Sequence, residues 1–243
     1  MKSKLRYACW QLGHFDETGV RGEGQRHGLH TASTEQHPDR FVHKKRGTEA
    51  LQSEASVLKD FQGIAVHDCG SPYFSFKPAR QVLCGAHLRR ELASLDSLWA
   101  EQMHEFLLDW YKMPRPVVAV EEVHKHYGII LSQAELEEPP PKSGKRGKPK
   151  QSPSRNLLNR LRKPEPGVLA FALEAGVPFT NNQAERDLRP AKVKPQVSGC
   201  FRTGLGARVY ARLLGAVSTF RKQGLNAFAT LRDLFSLRTI VVS

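Results

Sequence analysis

Three acids in this chain stand in settings that could do chemistry. Asp16 lies in Gly-His-Phe-Asp-Glu-Thr-Gly-Val (residues 13–20), Asp68 ends the apolar run Gly-Ile-Ala-Val-His-Asp (63–68), and Glu185 lies in Val-Pro-Phe-Thr-Asn-Asn-Gln-Ala-Glu-Arg-Asp-Leu-Arg (177–189). Side-chain carboxylates are natural ligands for hard cations. Two such cations about 4 Å apart can activate an attacking oxygen and neutralise charge on a phosphodiester and its leaving oxygen. Three acids are a sufficient protein share when nucleic acid and water supply the remaining oxygens. Brought together without a cation they repel one another, which raises at least one pKa until metal binds. Around Glu185 the neighbours are basic: Arg186, Arg189, Lys192 and Lys194 are placed to grip phosphates. An exposed i,i+4 pair of Glu185 and Arg189, worth roughly 0.2–0.5 kcal/mol, would also account for the local pattern.

The residues beside these acids have plainer roles. Glu17 and His67 each follow or precede an acid by one position, so on a strand they point to the opposite face. Glu17 is therefore left out of the cation set, and His67 is read as packed. His87 and Glu91, four apart on an expected helix, could look like a metal pair. Arg90 lies beside them and no third ligand is evident, so His87 and Arg90 are assigned a structural or phosphate-orienting role.

Short turn-punctuated segments at 15–20, 29–34 and 40–43 predict an antiparallel meander, with Gly22 and Gly24 in the first turn and Asp16 on the first strand. A helix is expected over 48–58, and a short buried strand over 63–66 delivers Asp68 at its carboxyl end, where open α/β sheets place their ligand sites. Residues 81–84 form another strand before a long helix from His87. Along it, or along its continuation, Trp99, Met103, Phe106, Leu107 and Trp110 make an apolar stripe, read as core. Helices are also expected over 121–135, 156–161 and 167–175. Thr180 or Asn181 can cap the Glu185 helix, Thr180 and Gln183 have capping-box spacing, and Pro190 stops or kinks it. A last pair of helices follows: residues 207–222 with Val209, Leu213, Val217 and Phe220 inward, then one capped by Asn226.

Charge is segregated along the chain. The net charge of +13 over 243 residues predicts a polyanionic partner, and the expected binding falls steeply with salt. Residues 142–163 carry nine Lys or Arg and no acid, and 186–222 carry nine bases against Asp187 alone, whereas 91–138 hold ten acids and three bases. Lys145, Arg146, Lys148 and Lys150, in a Pro-, Gly- and Lys-rich loop, are the expected nonspecific DNA contact. The four cysteines form no Cys-x-x-Cys pair, so neither a disulfide framework nor a zinc site is indicated. No signal peptide or membrane span is read, which predicts a reduced, cytoplasmic protein without a membrane partner.

Five ordered blocks, at 16–20, 44–47 (Lys-Lys-Arg-Gly), 66–68, 84–92 (Cys-Gly-Ala-His-Leu-Arg-Arg-Glu-Leu) and 181–201, together resemble the catalytic part of the insertion sequence 66 family of bacterial transposases. These are transposases of the Asp-Asp-Glu type. The resemblance implies an α/β, ribonuclease H-like mixed sheet flanked by helices. It divides the chain into a first core part at 1–96, a helical and basic-loop insertion at 97–163, and a second core part at 164–243. It implies Asp16, Asp68 and Glu185 as catalytic metal ligands, with Asp16 and Asp68 sharing Mg²⁺ (Mn²⁺ as substitute) and Glu185 completing a second ion's shell. One element end would be nicked, and the freed 3′-hydroxyl would attack target DNA in the same site, within a homo-oligomeric complex on the chromosome. The chain departs from the family pattern at Gly28, where Trp is usual, and at Cys69-Gly70, where Gly-Trp is usual. Family members also run much further before the first Asp, so a truncated form is expected. A catalytically inactive DNA-binding remnant that competes with a full transposase, and a simple Mg²⁺-dependent nuclease, are the alternatives.

Overall fold

The computed structural model describes residues 10–141 and 150–236. The chain divides into two compact units, one formed by Met1–Arg80 with Asn181–Ser243 and the other by Gln81–Thr180. In the first, β1 (Leu12–Gly22) and β2 (Gln25–Ser33) make an antiparallel hairpin. Glu23 and Gly24 both have positive φ, 55° and 73°, the two-residue turn whose twist matches that of the strands. β3 (Pro38–His43) continues the meander on β2. On the other side of β1, β4 (Ile64–His67) pairs in parallel, giving the order β3-β2-β1-β4 in this unit, and β5 (Arg80–Leu83) opens the second unit.

Strand alternation gives β1 two different faces. Val20 packs with Leu29 against Leu188 and Ala191 of α7 (Asn182–Ser198) and against Ala207 and Ala211 of α8 (Gly204–Lys222). The odd-numbered Phe15 joins Ala32, Leu58, Phe61 and Tyr73 in a separate cluster. His14, Asp16, Thr18 and Val20 therefore belong to the face that α7 covers. A short α9 (Ala227–Phe235) follows, with Asn226 accepting from the Ala229 N–H at 3.0 Å as its cap.

The second unit is helical: α2 (Gly85–Leu92), α3 (Leu98–Lys112), α4 (Val120–Glu137), α5 (Pro153–Arg162) and α6 (Glu165–Leu173). Trp99, Met103, Phe106 and Leu107 are buried, so the stripe is core packing as its spacing predicts, while Trp110 is half-buried. The Trp99 indole N–H donates to Ser154 Oγ at 3.0 Å, and the Tyr127 hydroxyl to the Leu161 carbonyl at 2.9 Å.

Four local expectations are corrected. The helix over 48–58 shrinks to α1 (Thr48–Leu51), followed by a 3-10 turn at Leu58–Asp60. Ser53 donates its hydroxyl to the Ala50 carbonyl at 2.7 Å, a local bond that competes with helix continuation. The helix from His87 is broken between α2 and α3, where Ser94 Oγ caps the Glu91 carbonyl at 2.7 Å. α7 runs through Pro190 to Ser198 instead of stopping there. Its inner face, Leu188 and Ala191, is held in the core on both sides of the proline, which outweighs one lost helical hydrogen bond. Finally, α8 buries Ala207, Ala211, Gly215 and Phe220, leaving Val209 and Leu213 exposed. Small residues let α8 approach β3 closely: a Cβ on Gly215 would lie 3.8 Å from the Pro38 carbonyl.

Candidate functional site

All three singled-out acids belong to the first unit. In the parallel pairing of β1 and β4, His14 stands opposite Val66. Asp16 lies two residues further along β1 and Asp68 one residue past the end of β4, so both acids come at the carboxyl end of this parallel pair, close enough for the Asp68 charge to act on Asp16. Asp16 is buried. Its Oδ1 accepts from the Glu17 N–H at 2.8 Å, and its Oδ2 lies 3.6 Å from Lys192 Nζ. Burial pushes the Asp16 pKa up to about 7; the Lys192 charge pulls it back and the Asp68 charge adds to the rise. Asp68 is half-buried and closes a tight turn, Oδ1 accepting from the Gly70 N–H at 3.2 Å. Between them Cys69 sits in the left-handed region at φ 72°.

Glu185 is half-buried in the first turn of α7. The start of that helix is anchored by Asn181, whose Nδ2 donates to the Phe15 carbonyl at 2.8 Å and whose Oδ1 lies 3.1 Å from His14 Nδ1. Asn181 is the residue at the N-cap, but its side chain makes no capping bond, because it is engaged across to β1; the expected cap is thus a tertiary clamp. Lys192, seven residues beyond Glu185 and hence on the same flank of the helix, reaches Asp16. Glu185 therefore lies on the flank of α7 between an anchor at His14 and Phe15 and a contact at Asp16.

The neighbouring side chains sort by strand face. Glu17 accepts from the Tyr73 hydroxyl at 2.6 Å and lies 3.5 Å from Arg46, on the side away from α7. Burial raises the Glu17 pKa, the Tyr73 bond opposes that rise, and Asp68 adds to it. His67 is buried, stacks on Tyr73 at a centroid distance of 4.6 Å, and accepts from the Cys69 N–H at 3.1 Å.

Among the basic residues, Arg186 and Arg189 are exposed on α7, and the Lys192 side chain is 48% exposed. Lys194 is tied down: Nζ donates to the Gly199 carbonyl at 3.1 Å and sits 4.1 Å over the Phe201 ring. Lys150 is exposed, while Lys145, Arg146 and Lys148 lie outside the described residues. In the second unit, His87 is half-buried and Arg90 exposed on α2, and the Glu91 carboxylate is engaged by Arg160.

A buried ionic cluster escaped the sequence reading. The Arg40 side chain is fully buried; Nη2 donates to the Asp187 carbonyl at 2.6 Å and Nη1 to the Leu214 carbonyl at 3.1 Å. The Asp187 carboxylate lies 3.4 Å from Arg40 and accepts from Lys222 at 2.6 Å, and Lys222 also reaches the Thr34 carbonyl at 2.7 Å. These bonds fix α7, the helix that bears Glu185, and α8 onto the meander. The one available signal was Asp187 standing alone among nine bases in 186–222.

Among the described residues no helix is long and apolar enough to cross a membrane. No curated protein matches the chain. A family model described as transposase IS66 family matches residues 7–209, a span that holds Asp16, Asp68 and Glu185.

Proposed function

Because the chain belongs to the transposase IS66 family, with DNA as the partner that membership implies, we propose that it cleaves and joins DNA strands at a divalent-metal site formed by Asp16, Asp68 and Glu185. The observation that carries this reading is that Asp16 on β1 and Asp68 just past the end of the adjacent parallel strand β4 lie close enough for their charges to interact, with Lys192 of the helix that bears Glu185 reaching Asp16. An antiparallel meander followed by a parallel strand with an acid at its end, all covered by late helices, is compatible with a ribonuclease H-like core.

The donor set fits a hard cation. All three groups offer carboxylate oxygens. Lys192 already places an ammonium 3.6 Å from Asp16, a cation standing in part of that position. Asp16 and Asp68 would hold one ion, Mg²⁺ or Mn²⁺ in its place, and Glu185 a second. Such a pair supplies activation of the attacking oxygen and neutralises charge on the reacting phosphate. With a divalent ion held there Asp16 would be ionised, although burial favours its neutral form and the Lys192 charge offsets that only in part. Lys192, freed from Asp16 by that ion, would be available to a DNA phosphate. Arg186 and Arg189 follow the backbone beside it, and Lys145, Arg146, Lys148 and Lys150 add nonspecific charge from the second unit.

Nicking of a duplex carrying an element end, in Mg²⁺, tests the assignment. Asp16→Asn, Asp68→Asn and Glu185→Gln are each expected to lower cleavage about 100-fold or more while nonspecific duplex binding persists. Cleavage retained in any of the three would remove that residue from the site. Loss of DNA binding alone, with metal-dependent nicking intact, would overturn the division of labour.

A further inference from the structure

Two exposed surfaces of this chain, one in each unit, carry complementary patterns at identical helical spacing. On α8, Leu205, Val209 and Leu213 are 62%, 47% and 46% exposed, and Arg208 and Arg212 are exposed among them. Positions i, i+3, i+4, i+7 and i+8 share one helix face, so this is an apolar stripe edged by two guanidiniums with nothing packed upon it among the described residues. In the second unit, α3 and α4 flank a cleft of about 380 Å³. Its α3 wall repeats the same spacing with opposite charge: Gln102, Glu105, Phe106, Asp109 and Trp110. Glu122 and His126 face the cleft from α4, and Met113 and Ile129, 53% and 55% exposed, supply its apolar rim.

Nucleic acid is a poor occupant for that cleft, because its rim is acidic within a segment of ten acids and three bases. A cationic amphipathic helix is what it fits. We propose that the α8 face of one copy of this chain docks in the α3–α4 cleft of a second copy, Arg208 and Arg212 against Glu105 and Asp109 and the apolar stripes against each other. Such a contact joins unlike surfaces, so it propagates into a ring or an open chain and does not stop at a symmetric dimer. Being partly ionic and rim-exposed, it weakens with salt. It is independent of the catalytic reading, since none of these residues belongs to the acidic site.

Sedimentation of nuclease-treated protein at low salt tests it. Wild type is expected to assemble with rising concentration. Two variants, Arg208→Glu with Arg212→Glu and Glu105→Lys with Asp109→Lys, are each expected to be folded by circular dichroism and monomeric when alone. Mixed, they should assemble again as alternating copies, because each helix then meets a cleft of opposite charge. The chain carrying all four substitutions regains assembly. A monomeric wild type, variants that assemble as well as wild type, or a mixture that stays monomeric would each overturn the proposal. If the arginine variant loses only duplex affinity, the α8 face is a DNA contact instead.

Discussion

Asp16 carries a proton at a pH where an ordinary aspartate has lost it, and this makes its role measurable without any substrate. Its pKa rises from 3.8 to about 7 on folding, so the native state holds a proton that the unfolded chain releases between those values. The stability belonging to neutral Asp16 is complete below pH 4 and is lost as pH rises through 7. Asp16→Asn is expected to leave the melting temperature near that of wild type at pH 4 and to raise stability at pH 8 by on the order of 2–4 kcal/mol in metal-free buffer. Divalent ions should restore wild type at pH 8 and leave the variant unmoved. Equal pH slopes in metal-free melts of the two proteins would show that Asp16 is not held neutral. One step past Asp68, the left-handed Cys69 costs about 1 kcal/mol that glycine would not. Cys69→Gly should gain on the order of 0.5–1 kcal/mol in urea unfolding, and a loss instead would mean that packing of the buried thiol outweighs the backbone. The acids themselves were legible from their neighbours. The strain at Cys69 showed only as a departure from the glycine usual at that position, because a φ angle leaves no trace in the residue type itself.

Helix α7 is the element on which the site depends, and its position is set by polar clamps as well as by its apolar face. Asp187→Asn would leave Arg40, whose side chain is fully buried, without its counter-charge, and is expected to cost about 3–5 kcal/mol in denaturant unfolding. A cost below 1 kcal/mol would place the clamp among dispensable surface pairs. The same reasoning explains two local misreadings. Pro190 reads as a stop, yet Leu188 and Ala191 are buried on either side of it, and a cap-like Asn181 reaches His14 and Phe15 instead. Both depend on partners about 165 residues away, beyond any local window. Gly28 belongs to this scale too. A Cβ there would lie 2.8 Å from the Lys45 carbonyl and 2.7 Å from the His30 ring, so the segment around Lys45 closes over the strand where a tryptophan would collide. Gly28→Trp is accordingly expected to destabilise strongly, with a melting temperature lowered by several degrees or more.

At the scale of the whole molecule, the sequence showed charge segregation and the order of strands and helices, both of which local composition records. It did not show that β1 and β4 pair in parallel and so bring Asp16 and Asp68 to the same end of the sheet, since pairing across some fifty residues is a register and not a pattern. Nor did it show which face of α8 is buried, because Ala207, Ala211 and Gly215 carry too little apolar surface to mark a stripe. The segregated charge gives the molecule-wide prediction: replacing Lys145, Arg146, Lys148 and Lys150 with Ala should lower duplex affinity and flatten its dependence on log salt by about 0.9 for each phosphate no longer neutralised. An unchanged slope would place DNA elsewhere. The central claim, that Asp16 and Asp68 form a cation site, is tested most directly by Mn²⁺ titration of the purified chain followed by paramagnetic resonance, comparing wild type with Asp68→Asn at pH 8. The account predicts ion binding by wild type and at least about tenfold weaker binding by a folded Asp68→Asn. Equal affinity in the two proteins, or no binding by a folded wild type, would contradict it.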